Sequence, residues 1–229
     1  MSVIQSNQLS ENDIFKSLDK KYRGLNILIF DNVKSTNDIS KALIKNSYMD
    51  KCIVVIANQQ TDGRGQRGKL FYSPAGCGVY MSIIIDIKNY FSDLQFLTQF
   101  SAVSVCSALE KITGKSIFIK WVNDLIYKNK KISGILTEVC NDIQNRRLAV
   151  IGIGINVSTG GFPVEIQDIA GSLYEAHEEA VPRNVIIAEI LNNVFYNYYN
   201  INREQILSIY NKKLFLNGDQ IGASKYSKT

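Results

Sequence analysis

Two strongly apolar runs, Cys52–Asn58 (CIVVIAN) and Val79–Ile87 (VYMSIIIDI, broken only by Ser82 and Asp86), bracket an eighteen-residue stretch, Gln59–Gly76, rich in glycine and arginine. Strand-length runs without polar alternation call for cover on both faces, so the chain has to build a sheet with helices packed against it. The stretch between them has a different character. Gly63, Gly65 and Gly68 fall within six residues, and Arg64, Arg67 and Lys69 stand among them. Such glycines let backbone approach a ligand with its N–H groups turned inward, and the cations suit a polyanion such as a nucleotide phosphate. The expected fold is α/β (α+β): a mixed sheet flanked by helices.

The rest of the chain fits that class. A short helix is expected from the Ser10 cap to about Tyr22, a strand over Asn26–Asp31, and a helix from the capping cluster Ser35-Thr36-Asn37-Asp38 to about Asn46. Ser92 and Gln95 form a capping box before a helix that ends at Gly114. Strands are expected at Ser116–Lys120, Leu125–Tyr127, Ile132–Val139 and Arg147–Val157, with a hairpin turn at Lys128-Asn129-Lys130. Helices follow at Asn184 to about Tyr199 and Arg203 to about Asn211.

Composition excludes several classes. With 229 residues, 45% hydrophobic and 21% charged, one ordinary globular domain is the economical expectation. No apolar stretch is long enough to span a membrane, and the acidic N-terminal segment lacks a signal-peptide core. The net charge of +5 suits phosphate handling and is too scattered to imply nucleic-acid binding. The four cysteines form no C-x-x-C pair and, with one histidine, no zinc pattern; they read as buried thiols in a reducing, cytoplasmic setting.

Four segments carry candidate chemistry. Gly63-x4-Gly68-Lys69 imitates a P-loop but fails at Leu70, which has no hydroxyl for a metal, and Pro74 follows where a helix should begin. Lys120-Trp121-Val122-Asn123-Asp124 places a cation beside two oxygen ligands of the kind Mg²⁺ prefers, although Asn-Asp alone is also ordinary turn chemistry. Lys130-Lys131-Ile132-Ser133-Gly134-Ile135-Leu136 puts cations ahead of a strand whose glycine leaves room for a flat group. Gly152-Ile153-Gly154-Ile155-Asn156 sets two glycines on one strand face with an asparagine at the end.

In this order the segments resemble the biotin protein ligase family: Ser35-Thr36-Asn37, Gln60-Thr61-x-Gly63-Arg64-Gly65-x-x-Gly68, Ser73-Pro74, Lys120-Trp121-x-Asn123-Asp124, Lys131-x-x-Gly134-Ile135-Leu136 and Gly152-x-Gly154-Ile155-Asn156. The resemblance covers roughly Asn26 to Asn211 and is to a monofunctional type without a DNA-binding domain. It implies a catalytic core related to class II aminoacyl-tRNA synthetases. It also implies two steps: biotin and MgATP give biotinyl-5′-AMP, then a lysine of a biotin carboxyl carrier domain takes the biotinyl group.

By that resemblance Lys131, Arg64, Lys120 and Asp124 are the catalytic set, with Asp124 as the Mg²⁺ partner. Ser35, Thr36, Asn37, Gln60, Arg64, Gly65, Gln66, Lys131, Gly134, Leu136, Gly152 and Gly154 would bind biotin. Arg67, Gly68, Lys69, Phe71, Lys120, Asn123 and Asn156 would hold the nucleotide. Residues 1–212 form the expected catalytic domain and 213–229 the remnant or truncated start of a small C-terminal β-barrel. Only 25 residues precede Asn26, too few for a winged-helix domain, so no DNA partner is expected. A homodimer through an exposed sheet edge is compatible with the sequence. The chain departs from the family pattern at Val122 for proline, Phe71 for tryptophan, and Lys69 and Gln66 for arginines. The competing readings are a lipoate or octanoyl ligase or transferase of the same fold, and a non-catalytic biotin-binding module.

Overall fold

A computed structural model of the chain describes residues 8–46, 52–87, 91 and 93–215. Its strands, β1 (Asn26–Val33), β2 (Ile53–Gln60), β3 (Gly78–Asp86), β4 (Phe118–Lys120), β5 (Asp124–Tyr127), β6 (Lys130–Asn141) and β7 (Arg147–Asn156), form one sheet in the order β1-β2-β3-β7-β6-β5-β4. Among these seven strands β1 and β2 pair in parallel, and each remaining neighbour pair is antiparallel. The parallel pair needs a crossover, supplied by helix α2 (Thr36–Asn46). The sheet is therefore mixed and flanked by helices, as expected.

The apolar runs are long because the central strands are covered twice. On β3, Val79, Met81, Ile83 and Ile85 face the main core, where α1 (Glu11–Ser17), α3 (Leu94–Thr113), α4 (Arg183–Tyr199) and α5 (Arg203–Lys212) pack. The alternate residue Ile84 turns the other way, into a smaller cluster with Ile44 of α2 and with Leu148 and Val150 of β7. Period-two alternation hides inside an unbroken apolar run whenever both faces are buried. The polar residues inside α3 satisfy themselves locally: Thr98, Ser101 and Ser104 donate to the carbonyls four residues back.

Local differences from expectation have simple causes. The first helix stops at Ser17, and a 3-10 turn at Lys20–Tyr22 takes up the rest of the expected segment. The N-cap of α3 is Asp93, whose carboxylate accepts from Gln95 N at 2.8 Å; Ser92 lies outside the described residues. Gly114 ends α3 at φ +66°, the left-handed C-cap that glycine favours. Lys128 and Asn129, at φ +48° and +62°, make the tight turn between β5 and β6. Of the four cysteines only Cys106 is fully buried; Cys52, Cys77 and Cys140 are half-buried, and all four are free thiols. No described helix is long and apolar enough to cross a membrane. Beyond α5, Phe215 N donates to Ile119 O and Ile119 N to Lys213 O, so the chain runs along the outer edge of β4. Most of the expected barrel segment, residues 216–229, lies outside the described residues.

Candidate active site

The site starts from three glycines that the sheet register gathers on one face. Gly154 of β7 is paired with Gly134 of β6 on one side and Tyr80 of β3 on the other. In the next row, Gly152 lies between Leu136 and Ser82. Antiparallel partners point the same way, and the intervening isoleucines, Ile151, Ile153 and Ile155, face the main core. The result is a low floor of Gly134, Gly152 and Gly154 beside the N-terminal turn of α2.

Lys131 reaches this floor because of a β-bulge. A regular strand would put residues 131 and 134 on opposite faces. The β5–β6 register shifts between Leu125 and Ile126, so Ile126 pairs with Lys131 while Asp124 pairs with Gly134. The extra residue turns Lys131 to the side of Gly134. A methyl group built on Gly134 would lie 3.3 Å from Lys131 Nζ and 3.4 Å from Phe71 Cδ2. Lys120, the cross-strand partner of Asp124, continues the same row.

Phe71 is delivered by the glycine loop folding back on itself. Phe71 N donates to Gly63 O at 2.7 Å and Gly65 N to Lys69 O at 2.7 Å, with Gly68 at φ +73° in the turn. Gly63 has to be glycine at this crossing, since an added Cβ would lie 2.6 Å from Phe71 O and 2.7 Å from Ser73 Oγ. The Phe71 ring then stands on Gly154, 2.6 Å from where a Cβ would be, and meets the Tyr80 ring edge-on at 6.5 Å between centroids. The glycine loop and Lys131 thus converge on one surface. Phe71, expected with the nucleotide, covers the glycines expected to hold the vitamin's rings.

At the α2 end, a hydrogen-bonded cluster sits almost wholly out of water. Ser35, Thr36, Asn37 and Ser73 are 2–4% exposed and Ser82 is fully buried. Gln60 Oε1 accepts from Thr36 N at 2.9 Å and from Thr36 Oγ1 at 3.2 Å, and its Nε2 donates to Ser73 Oγ at 3.0 Å. Ser82 Oγ lies 2.7 Å from Thr36 Oγ1 and 2.6 Å from Asn37 Oδ1. Asn37 Nδ2 donates to Glu138 Oε2 at 2.7 Å. Both ends of the Asn37 amide, like those of Gln60, are therefore engaged within the protein. Asn37 braces the turn that carries Ser35 and Thr36.

Two further expected residues also have partners within the protein. Asp124 Oδ1 is 2.7 Å from Lys131 Nζ, so this carboxylate is the counter-ion of the lysine. Asn123 Nδ2 donates to Ile135 O at 2.5 Å, tying the β4–β5 turn to β6. The described residues hold no cluster of three metal-binding side chains, as is usual where Mg²⁺ is held by one or two carboxylates and the phosphates of a nucleotide. Lys131 takes one carboxylate oxygen of Asp124, and the other is the one that an ion held mainly by nucleotide phosphates would meet. Asn156, by contrast, keeps an open function: Nδ2 donates to Gly171 O at 3.0 Å, while Oδ1 is buried with no hydrogen-bond partner.

Arg64 is half-exposed and held at 2.9 Å by Asp38 Oδ2. Lys69 and Lys120 are exposed near the loop and the floor, Gln66 is half-buried in the loop, and Leu136 is half-buried on β6. The side chain of Arg67 lies outside the described residues. Sequence reasoning missed Ser82, Tyr80, Lys41 and Glu138. Ser82 gave a signal, as the one serine within Val79–Ile85. A cavity of about 290 Å³, lined by Ser158, Thr159, Phe162, Ser172, Tyr174 and Glu175, lies beyond β7 and includes none of the expected residues. Over Gly154 the space is taken by the Phe71 ring, and over Gly152 by the Asn37 carboxamide.

Comparison with known proteins gives a consistent picture. Residues 29–156 match the biotin/lipoate A/B protein ligase family. The bifunctional ligase/repressor BirA of Bacillus subtilis is 36% identical over 186 residues, covering 80% of this chain and 57% of that protein. The biotin–[acetyl-CoA-carboxylase] ligase of Mycobacterium tuberculosis is 27% identical over 146 residues, covering 62% of this chain and 52% of its own length. The chain thus spans little more than half of either relative. Among solved structures, biotin protein ligase from Aquifex aeolicus in complex with biotin and ATP superposes with a TM-score of 0.72 at 28% identity, over 83% of this chain and 78% of that one.

Proposed function

The chain belongs to the biotin/lipoate A/B protein ligase family, and we propose that within it the chain is an ATP-dependent biotin protein ligase acting in the cytoplasm. The biotin carboxylate attacks the α-phosphorus of ATP, forming biotinyl-5′-AMP and expelling pyrophosphate. The ε-amine of a lysine on a biotin carboxyl carrier domain then attacks the mixed anhydride, and AMP leaves. The observation that carries this reading is the meeting of Phe71 and Lys131 over Gly134 and Gly154. A flat heterocycle with an acyl tail needs a floor without side chains and a cation where its carboxylate ends.

Attack of one anion on another is limited by repulsion, so most of the rate comes from fixed positive charge and alignment. Lys131 neutralises the carboxylate and then the adenylate oxygens, while Lys120 and Arg64 take the phosphates. Ser35, Thr36 and Gln60 pair with the ureido ring at the N-terminal turn of α2. A site that pairs those polar groups rejects analogues lacking them. Calorimetry with biotin, then ATP, followed by labelling of a carrier domain, tests the assignment. No binding of biotin, or pyrophosphate release that depends on lipoate rather than biotin, would overturn it. Binding without carrier labelling would leave only a biotin-binding module.

Two further outcomes follow from individual residues. The orphaned Asn156 Oδ1 is suited to accept from the exocyclic amine of adenine. Asn156→Ala should raise the ATP concentration needed for half-maximal adenylate formation about tenfold and leave the biotin affinity of the free enzyme unchanged; steady-state titration of each substrate checks this. Gln66 sits in the glycine loop without the charge its family usually carries there. Gln66→Arg should slow dissociation of biotinyl-AMP, measured by competition with labelled biotin, and an unchanged off-rate would count against a role for this position.

A further inference from the structure

We infer that Glu138, which the proposed reaction does not touch, is a positioning residue that fixes both ends of the substrate site through one relay of charges. The relay leaves the sheet at Glu138, which follows Gly134 and Leu136 on the same face of β6. Glu138 Oε2 accepts from Asn37 Nδ2 at 2.7 Å, and Oε1 accepts from Lys41 Nζ at 2.9 Å. Lys41 is also 3.1 Å from Asp38 Oδ1, and the other oxygen of Asp38, Oδ2, is 2.9 Å from Arg64 Nη2. Asp62 adds a longer contact to Arg64 at 3.7 Å. Charge alternates along the path from Glu138 through Lys41 and Asp38 to Arg64.

Helix spacing makes the relay. Asn37 and Lys41 are four residues apart on α2 and Asp38 and Lys41 three apart, so all three side chains share one side of its first two turns. Burial works against the charge on Lys41, but its hydrogen bonds to Glu138 and Asp38 outweigh that and hold its pKa above the usual lysine value. The four charged side chains are between 21% and 47% exposed, so each pair alone adds little stability. Geometry is what the network sets. At one end it locks the Asn37 amide over Gly152, and with it the turn bearing Ser35 and Thr36. At the other it holds the Arg64 guanidinium against α2, at the start of the glycine loop. With Glu138 neutral, Lys41 loses one of two anionic partners and draws Asp38 away from Arg64.

On the ligase reading above, the test is the isosteric variant Glu138→Gln, read in two ways. In turnover, KM for biotin should rise about tenfold while kcat changes by less than about threefold, the signature of lost ground-state alignment. In the ligand-free protein, the Nε–H resonance of Arg64 should shift and exchange faster with water. Asp38→Asn should give the same shift, and combining both changes should add little, because members of one network are non-additive. An Arg64 resonance unmoved by Glu138→Gln overturns the relay whether or not biotin binds. A lower melting temperature with KM and that resonance unchanged overturns it as well, since Glu138 would then be only structural. Failure of the unaltered chain to bind biotin would remove the ligase reading, and the Arg64 signal would still decide the relay.

Discussion

Lys131→Ala should lower biotin-dependent pyrophosphate release by two to three orders of magnitude, roughly the effect of removing one donor from a preorganised anion site. Two losses combine in that variant. The ammonium that would meet the carboxylate disappears, and Asp124, now 2.7 Å from it, is left as an uncompensated carboxylate on the same surface. Two like charges about 4 Å apart repel by about 4 kcal/mol at the effective dielectric of a protein surface. The second loss can be separated from the first. Adding Asp124→Asn to Lys131→Ala should recover part of the activity, because truncating one partner of an ion pair is worse than neutralising both. Single-turnover pyrophosphate release, with biotin affinity measured by calorimetry on the same samples, distinguishes loss of chemistry from loss of binding. A single variant that keeps more than a tenth of the parent rate would remove Lys131 from its assigned role.

The charged half of the site was legible as a set of motifs and illegible as an arrangement. Lys131 and Gly134 stand three apart, which in a regular strand means opposite faces; only the bulge between β5 and β6 puts them together. A strand glycine such as Gly134 is compatible with a bulge, but where the register shifts depends on how two strands and a turn settle their pairing. The strands β2, β3 and β7 were visible because central strands covered on both faces have to be apolar throughout. Their spatial order, with β7 lodged between β3 and β6, follows from long-range pairing that no local window contains.

The polar half shows a different limit. Asn37 and Gln60 were found because they belong to recognisable segments, but a motif says where a residue is and not which way its amide is spent. The Asn37 amide is held between Ser82 and Glu138, and the Gln60 amide between Thr36 and Ser73. Glu138 could not be read at all, since a glutamate on a strand facing away from the core is ordinary unless α2 is known to lie over it. Buried polar partners are set by packing, and packing is a property of the assembled layers.

The two glycines of β7 should behave differently when given the same methyl group, and the reason is what stands above each. At Gly152 an added Cβ would run into the Asn37 carboxamide. That amide cannot step aside, because Ser82 bonds one end at 2.6 Å and Glu138 the other at 2.7 Å, with Gly152 beneath it. Gly152→Ala therefore either strains the sheet or breaks buried hydrogen bonds, and a loss of about 2–4 kcal/mol in unfolding free energy is expected. At Gly154 the added Cβ would meet Cε1, Cδ1 and Cζ of Phe71, the end of a side chain that can rotate off the floor. Gly154→Ala should cost less than about 1.5 kcal/mol, yet it raises the floor where a flat ligand would lie, so biotin affinity should fall at least tenfold. Urea denaturation and calorimetry on both variants measure the two quantities separately. Equal stability losses, or an unchanged affinity in Gly154→Ala, would mean that this pair of glycines is not the surface on which the substrate rests.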